Sequence, residues 1–159
     1  MNKRIAYRGG LVSFELPHHW VEEYEPEGGG TFFQDVPGSG TLRLTVLTVK
    51  PPSGLEPADP ASAIENLVGS RGVRPTRLPN GNALLHSTSQ AVEASISLTL
   101  HHWHLASAAP DGFMRVAIFS YTVPTASVSL PLVSAELSLL ERVLPEASFS
   151  PKLGVVNAV

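Results

Sequence analysis

The sequence predicts an α+β fold, a single layered domain in which a mostly antiparallel β-sheet is covered by helices on its faces. Most of the chain alternates apolar and polar residues with period two, and turn signals separate these runs at short intervals. Two segments, near 60–68 and 130–144, instead have apolar residues at helical spacing. The length of 159 residues fits one domain. We therefore expect one domain over residues 1–159, with a flexible tail from about residue 151.

The first elements are predicted to be strands. Ile5 to Tyr7 and Val12 to Leu16 alternate around Gly9-Gly10, which can supply the positive φ angles of a two-residue hairpin turn. The acidic run 22–27 is predicted to be a solvated loop, with a docking patch for a basic partner as the alternative. Strands are expected at 31–35 and 41–50. The second is apolar on both faces and is predicted to be covered on both sides.

The middle of the chain predicts a short helix followed by a hairpin. Asp59 is a good N-cap, Pro60 suits the first helical position and Gly69 suits the C-terminal stop. Strands at 73–78 and 83–89 flank Asn80-Gly81, a strong hairpin signal.

Period-two alternation then runs over the fourteen residues from Val92 to Leu105, which we interpret as one long strand. One face carries Ile96, Leu98 and Leu100 and continues to His102 and His104. Trp103 lies on the opposite face, so that face is expected to be covered by a helix or loop.

The C-terminal part predicts a returning strand at 113–123 and a closing helix. The apolar stripe of this helix is formed by Leu130, Val133, Leu137, Leu140 and Leu144. Pro131 lies near the predicted helix start, and Glu136 and Glu141 are predicted to face away from the core.

Composition excludes several classes of protein. Apolar residues make up 43% and charged residues 16%, which is the opposite of a disordered chain. There is no cysteine, so disulfides and thiolate metal sites are excluded. The net charge is −3 and no basic stripe is present. Arg71, Arg74 and Arg77 form the one arginine group; a solvated strand or loop is favoured over a phosphate-contacting edge.

The N-terminus lacks the apolar region of a signal peptide, and no apolar run is long enough for a transmembrane helix. These features predict a cytoplasmic protein that does not bind nucleic acid. The excess of arginine over lysine, with abundant alanine, glycine and proline, indicates a bacterial source.

The histidines are the candidate metal-binding residues of this sequence. His102 and His104 share a face of the predicted strand, and His86 in the preceding strand could complete a zinc or iron site. The favoured interpretation is structural: two half-buried rings at the edge of an apolar face. A second HHW triplet, His18-His19-Trp20, is interpreted as a solvent-exposed turn after Pro17.

Motifs of nucleophilic catalysis and of nucleotide binding are not found in the sequence. We therefore expect no catalytic residue and no cofactor.

The stretch "SFELPHHW", from Ser13 to Trp20, resembles the small-aromatic-x-apolar-Pro-x-x-Trp opening of the PsbP-like fold. The strand "TLRLTVLTV", the Trp103 strand, Tyr121 and the closing helix follow in a similar order. That group includes a photosystem extrinsic subunit, a small Ran-binding import factor and bacterial DcrB-type domains, the last being most similar. The resemblance implies an antiparallel sheet between helical layers and a non-enzymatic role. It implies protein partners, and in some bacterial members an adaptor-chaperone role for secreted effectors.

The sequence and the resemblance together predict a non-enzymatic protein-binding or adaptor module. Assembly of this module as a homodimer is compatible with the sequence. Two alternatives stay open. One is a metal-dependent enzyme or metal-binding protein that uses His102 and His104, and the other is a small-ligand carrier.

Overall fold

The structure is a computed structural model that describes residues 1–50, 59–69, 74–110 and 112–150. The predicted flexible tail and Arg71 lie outside these residues. In the described part, ten strands and two α-helices form one α+β unit, as expected. The strands are β1 (Asn2–Tyr7), β2 (Val12–Pro17), β3 (Val21–Tyr24), β4 (Gly30–Phe33), β5 (Thr41–Val49), β6 (Thr76–Arg77), β7 (Ala83–Glu93), β8 (Ile96–Ala108), β9 (Met114–Pro124) and β10 (Ser148–Phe149). The helices are α1 (Pro60–Val68) and α2 (Pro131–Val143).

These strands form two antiparallel sheets. The large sheet has the order β3-β4-β5-β9-β8-β7-β6, and the small sheet has the order β1-β2-β10. Every pairing is antiparallel. β3 and β6 are therefore edge strands of the large sheet, and β1 is an edge strand of the small one.

The main core lies between the small sheet, α2 and one face of the large sheet, here called the core face. Phe14 of the small sheet packs edge-to-face on Phe32 and on Phe119, each at a centroid distance of 5.3 Å. Val133 and Leu140 bring α2 into the same apolar cluster. Covering of the core face by a second sheet as well as by a helix was not expected.

The opposite face of the large sheet, here called the open face, has much less cover. α1 packs on one end of it, against a small apolar cluster formed by Ala83, Leu85, Ala106, Met114 and Val116. Leu47 of β5, opposite Val116 at the side of this cluster, is nevertheless 40% exposed. The expectation that β5 is covered on both sides is therefore wrong for this part of the strand.

Local signals of helix α1 are confirmed. Asp59 Oδ1 accepts a hydrogen bond from the N–H of Ser62 at 3.0 Å, and Pro60 occupies the first turn. Gly69 ends the helix in the left-handed region with φ 76°. The loop with Asn80-Gly81 joins β6 to β7, as expected.

The long strand predicted from Val92 to Leu105 is interrupted. Ala94 and Ser95 form a two-residue turn with φ values of 50° and 68°, and Glu93 pairs with Ile96 across it. Two positive φ angles in succession are typical of a type I′ hairpin turn. Across this turn Glu93 shares a face with Ile96 and Val92 shares a face with Ser97, which is the opposite of uninterrupted alternation. The apolar residues Val92, Ala94 and Ile96 still alternate in the sequence, so the pattern alone did not reveal the break.

Two further expectations need correction. Part of the acidic run is not a loop, because Val21–Tyr24 forms an edge strand. The first hairpin turns over Arg8–Leu11 rather than over two glycines, with Tyr7 opposite Val12.

Candidate functional site

The structure separates the histidines that the sequence grouped. His86 and His101 project from the core face, where Trp103 also lies, whereas His102 and His104 project from the open face. The proposed third ligand, His86, is therefore not brought together with His102 and His104. No group of three or more histidines, aspartates or glutamates suited to a metal ion occurs in the described ranges.

On the core face, two imidazoles stack on one indole. The His86 ring lies 4.5 Å from the Trp103 ring with an interplanar angle of 12°, and the His101 ring lies 5.9 Å away. His86 Nε2 and His101 Nδ1 are 3.0 Å apart, so one ring donates a hydrogen bond to the other. Burial lowers the pKa of both histidines, and each is therefore neutral near pH 7. Trp103 itself is 1% exposed, which confirms its predicted role as an anchor.

On the open face, His102 is held between two serines. Its Nε2 lies 3.1 Å from Ser89 Oγ, and its Nδ1 lies 3.1 Å from Ser120 Oγ. His104 is half-buried, and its Nδ1 has no hydrogen-bond partner among the described residues. Burial lowers the pKa of both rings. These histidines are neutral at physiological pH and add no charge to the open face.

The face of β8 that carries Trp103 was expected to be covered, and it is, whereas the apolar face with Ile96, Leu98 and Leu100 is less buried. The Trp103 face is the better buried, with Leu105 fully buried and Thr99 7% exposed. On the open face, Leu98 and Leu100 are partly exposed and Ile96 is 54% exposed.

The open face also carries very little charge. Between β5 and β7 this face has Arg43 on β5, in register with Ser120 and His102, and Glu93 at the hairpin tip, with no other charged residue on this face of the four strands. Beyond the α1 cluster the other side chains of this face are aliphatic, hydroxyl or imidazole groups, and they include Thr45, Leu47, Ser120, Thr122, Ile96, Leu98, Leu100, His102, Ser87 and Ser89. A sheet face turned to water usually carries a polar outer row, so this is a candidate binding surface.

A buried carboxylate contradicts one expectation about α2. Glu136, predicted to face away from the core, is 1% exposed. It accepts four hydrogen bonds: from Tyr121 Oη at 2.6 Å, Gly40 N at 2.8 Å, Ser39 Oγ at 2.8 Å and Gln34 Nε2 at 2.7 Å. Glu141, in contrast, is exposed as expected.

This network joins α2 to β9 and to the loop between β4 and β5. Burial and the bond to Glu136 raise the pKa of Tyr121, so the phenol stays protonated and keeps donating. A Cβ on Gly40 would lie 2.4 Å from the Tyr121 ring, so this close approach requires glycine. The helical stripe gave no signal of the network, because three of its other members, Gln34, Ser39 and Gly40, lie about a hundred residues away in sequence.

A groove of about 490 Å³ lies between β1 and the hairpin formed by β3 and β4. We call it the hairpin groove. Arg4 and Arg8 line one side, and Glu22, Tyr24 and Glu25 line the other.

The carboxylate of Glu22, on one side of the groove, already has partners within the chain. Lys3 Nζ lies 2.9 Å from Glu22 Oε2, and Tyr24 Oη donates to Glu22 Oε1 at 2.6 Å. The Tyr24 hydrogen bond and the Lys3 ammonium group lower the pKa of Glu22. Burial and the bond to Glu22 raise the pKa of Tyr24.

The remaining sequence candidates lie apart from these surfaces. Arg77 pairs with the helix cap Asp59 at 2.9 Å, and Arg74 is exposed. His18 and His19 are exposed, and His19 Nε2 bonds Gln34 Oε1 at 2.6 Å. Neither described helix combines the length and hydropathy needed to span a membrane.

No protein-family model and no curated protein matches this chain. Several solved structures do match it. A protein of Bacteroides thetaiotaomicron is 18% identical with a TM-score of 0.65, over 94% of this chain and 49% of that one. This chain therefore spans about half the length of that protein.

Two matching structures are of similar length to this chain. The Ran-binding protein Mog1p of Saccharomyces cerevisiae is 14% identical with a TM-score of 0.53, over 94% of this chain and 95% of its own. LpqN of Mycobacterium tuberculosis, described as involved in cell envelope biogenesis, is 11% identical with a TM-score of 0.57, over 90% and 89%. At these identities the likeness concerns the fold alone. The chain thus has the α+β fold of Mog1p and LpqN, consistent with the PsbP-like resemblance of its sequence.

Proposed function

We propose that this chain is a non-enzymatic protein-binding module, adaptor-like or chaperone-like, that docks an uncharged, apolar segment of another protein on its open face. The observation that carries the proposal is the nearly charge-free surface beyond α1, where leucine and isoleucine side chains lie partly exposed among hydroxyl groups. Binding would transfer these apolar atoms out of water, which is the main favourable term in most protein association.

The chemistry of this face selects the partner. Arg43 on β5, beside Ser120 and His102, and Glu93 at the hairpin tip are its two charges, and they are isolated and of opposite sign, so a strongly charged partner would find little complementary charge. His102 is neutral, and both its ring nitrogens already lie within hydrogen-bond distance of serine hydroxyls. An apolar segment therefore incurs a smaller desolvation cost on this face than a polar or charged segment would, because it brings no groups that need new partners.

The comparisons give this proposal general support. Mog1p is described as a Ran-binding protein, so one protein with this fold has a protein partner. The partner, the bacterial source and the cytoplasmic location of the present chain stay predictions.

A comparison of retained proteins tests the proposal. Three baits are immobilised and exposed to the same cell lysate: the wild-type chain, the double variant Leu47→Lys/Leu100→Lys and the control Val128→Lys. Val128 is 42% exposed and lies outside the sheet. We expect a specific protein on the wild type and the control but not on the double variant. Purified together, this protein and the wild type should bind with an affinity that rises slightly with salt.

Three results would contradict the proposal. The first is retention of the same protein on all three baits, and the second is binding of the purified pair that weakens steeply with salt. A co-purifying metabolite in place of a protein would favour the small-ligand carrier.

A further inference from the structure

We propose that the hairpin groove is a second binding site, which takes an extended peptide segment as an additional strand on the open edge of β3. The segment alternates basic and apolar residues. This site lies at the β3 edge, away from the β5–β7 part of the open face described above, so it does not depend on the function proposed above.

Two residues of β3 have backbone N–H and C=O groups that are free to form hydrogen bonds with an added strand. The N–H of Glu25 donates to the carbonyl of Gly29 at 3.0 Å, which places this pair among the hydrogen-bonded pairs of the β3–β4 hairpin. In an antiparallel pair, hydrogen-bonded and non-hydrogen-bonded positions alternate. Glu22 and Tyr24, opposite Phe32 and Gly30, therefore direct their N–H and C=O groups away from β4. No described hydrogen bond uses these four backbone groups.

The groove provides space beside this edge. It measures about 490 Å³ and separates β3 from β1, which is itself an edge strand. Strand addition to an exposed edge is a common mode of peptide recognition, in which main-chain hydrogen bonds supply affinity and alternate side chains supply specificity.

The side chains on the two faces of β3 favour a peptide in which basic and apolar residues alternate. Glu23 projects from the open face, is exposed and has no ion pair among the described residues. A basic residue beside it forms a favourable cross-strand pair. Tyr24 projects from the other face into the groove, where Arg4 and Arg8 also lie, so an apolar residue fits there and a cation does not.

A second copy of this chain is a poor occupant of the edge. Two β3 strands paired with each other would bring Glu22 and Glu23 close to their counterparts, and like charges opposite each other destabilise a sheet. The charge of the edge therefore favours a basic partner over self-association.

The test uses the full chain and three synthetic ten-residue peptides. In the first, lysine alternates with valine; the second has the same composition with the lysines in one block; the third alternates glutamate with valine. Titrations followed by amide NMR should show binding of the first peptide, with the largest shifts at Glu22 and Tyr24. The blocked and the glutamate peptides should bind at least about tenfold more weakly.

N-methylation tests the strand pairing itself. Valines of an antiparallel added strand lie opposite Glu22 and Tyr24, so their N–H groups point at β3, whereas the lysine N–H groups point away. Methylating the valine amides should weaken binding about tenfold or more, while methylating the lysine amides should change it little.

A charge-matched pair of variants tests the role of the carboxylates. Glu23→Gln/Glu25→Gln should weaken binding of the lysine-valine peptide about fivefold. Glu93→Gln/Glu141→Gln removes the same charge from exposed sites away from β3 and should leave binding unchanged. Equal binding of the alternating and blocked peptides, or equal effects of the two methylation patterns, would overturn the proposal.

Discussion

Replacing Glu136 of α2 by alanine removes the shared acceptor of four hydrogen-bond donors on β9 and on the loop between β4 and β5. Two of these donors, the N–H of Gly40 and the hydroxyl of Tyr121, are buried and would be left without a partner. Each such group costs about 1–3 kcal/mol, and loss of the acceptor of a buried charged network typically costs about 3–5 kcal/mol. We expect Glu136→Ala to destabilise the fold by about 3–5 kcal/mol, which for a chain of this size lowers the melting temperature by roughly 6–20 °C.

Three further variants divide this effect. Glu136→Gln keeps the shape and one acceptor oxygen for Tyr121 and Gly40, but its NH2 group would face the Gln34 Nε2 and Ser39 Oγ donors, so it should cost about 1–3 kcal/mol. Tyr121→Phe removes one donor and should cost about 1–2 kcal/mol. The control, Glu141→Ala, makes the same change at an exposed position of the same helix and should stay within about 0.5 kcal/mol of wild type.

The assay is urea unfolding followed by circular dichroism, with thermal melts of the same four variants. If Glu136→Ala and Glu141→Ala unfold within about 0.5 kcal/mol of each other, the Glu136 network does not hold α2 to the sheet. Loss of stability in Glu136→Ala but not in Glu136→Gln would instead assign the effect to packing.

Three other predictions follow from the sheet. Trp103→Ala should lower the free energy of unfolding in urea by about 3–5 kcal/mol, because it leaves a cavity at a site that is 1% exposed. His102→Gln/His104→Gln should lower it far less, and the reverse order would contradict this account. Acid should destabilise the fold: burial holds the pKa of His86, His101, His102 and His104 below the usual 6.5, so below that pH the unfolded chain binds more protons and stability falls. Melting temperatures from pH 8 to pH 5 should fall mainly below 6.5, and a rise on acidification would refute the assignment. Added zinc should leave the melting temperature unchanged; a zinc-dependent rise abolished by His102→Gln/His104→Gln would establish the metal site instead.

The sequence by itself determined the features that depend on neighbours along the chain. The α1 helix could be placed because Asp59, Pro60 and Gly69 each act within a few residues of the helix end. The loop at Asn80-Gly81 was found in the same way. Alternation also assigned Trp103 and His102 correctly to opposite faces of β8, because side chains on a strand project to opposite faces in turn.

Local signals failed where distant segments decided the outcome. Ala94 and Ser95 form a turn although neither is a typical residue for positive φ, because β7 and β8 pair over eleven residues on either side of them. Glu136 lies in the core although it is charged, because Gln34, Ser39 and Gly40 arrive from another part of the chain to donate to it.

The candidate binding surface was decided in the same way. Alternation gave β8 two faces, but not which of them would be covered. Only the packing of the small sheet and α2 buried the Trp103 face, and only the short reach of α1 left Leu98 and Leu100 partly exposed on the other. Period-two spacing reports the direction of each side chain relative to its own strand, whereas burial depends on which elements pack there, and those elements lie far away in sequence.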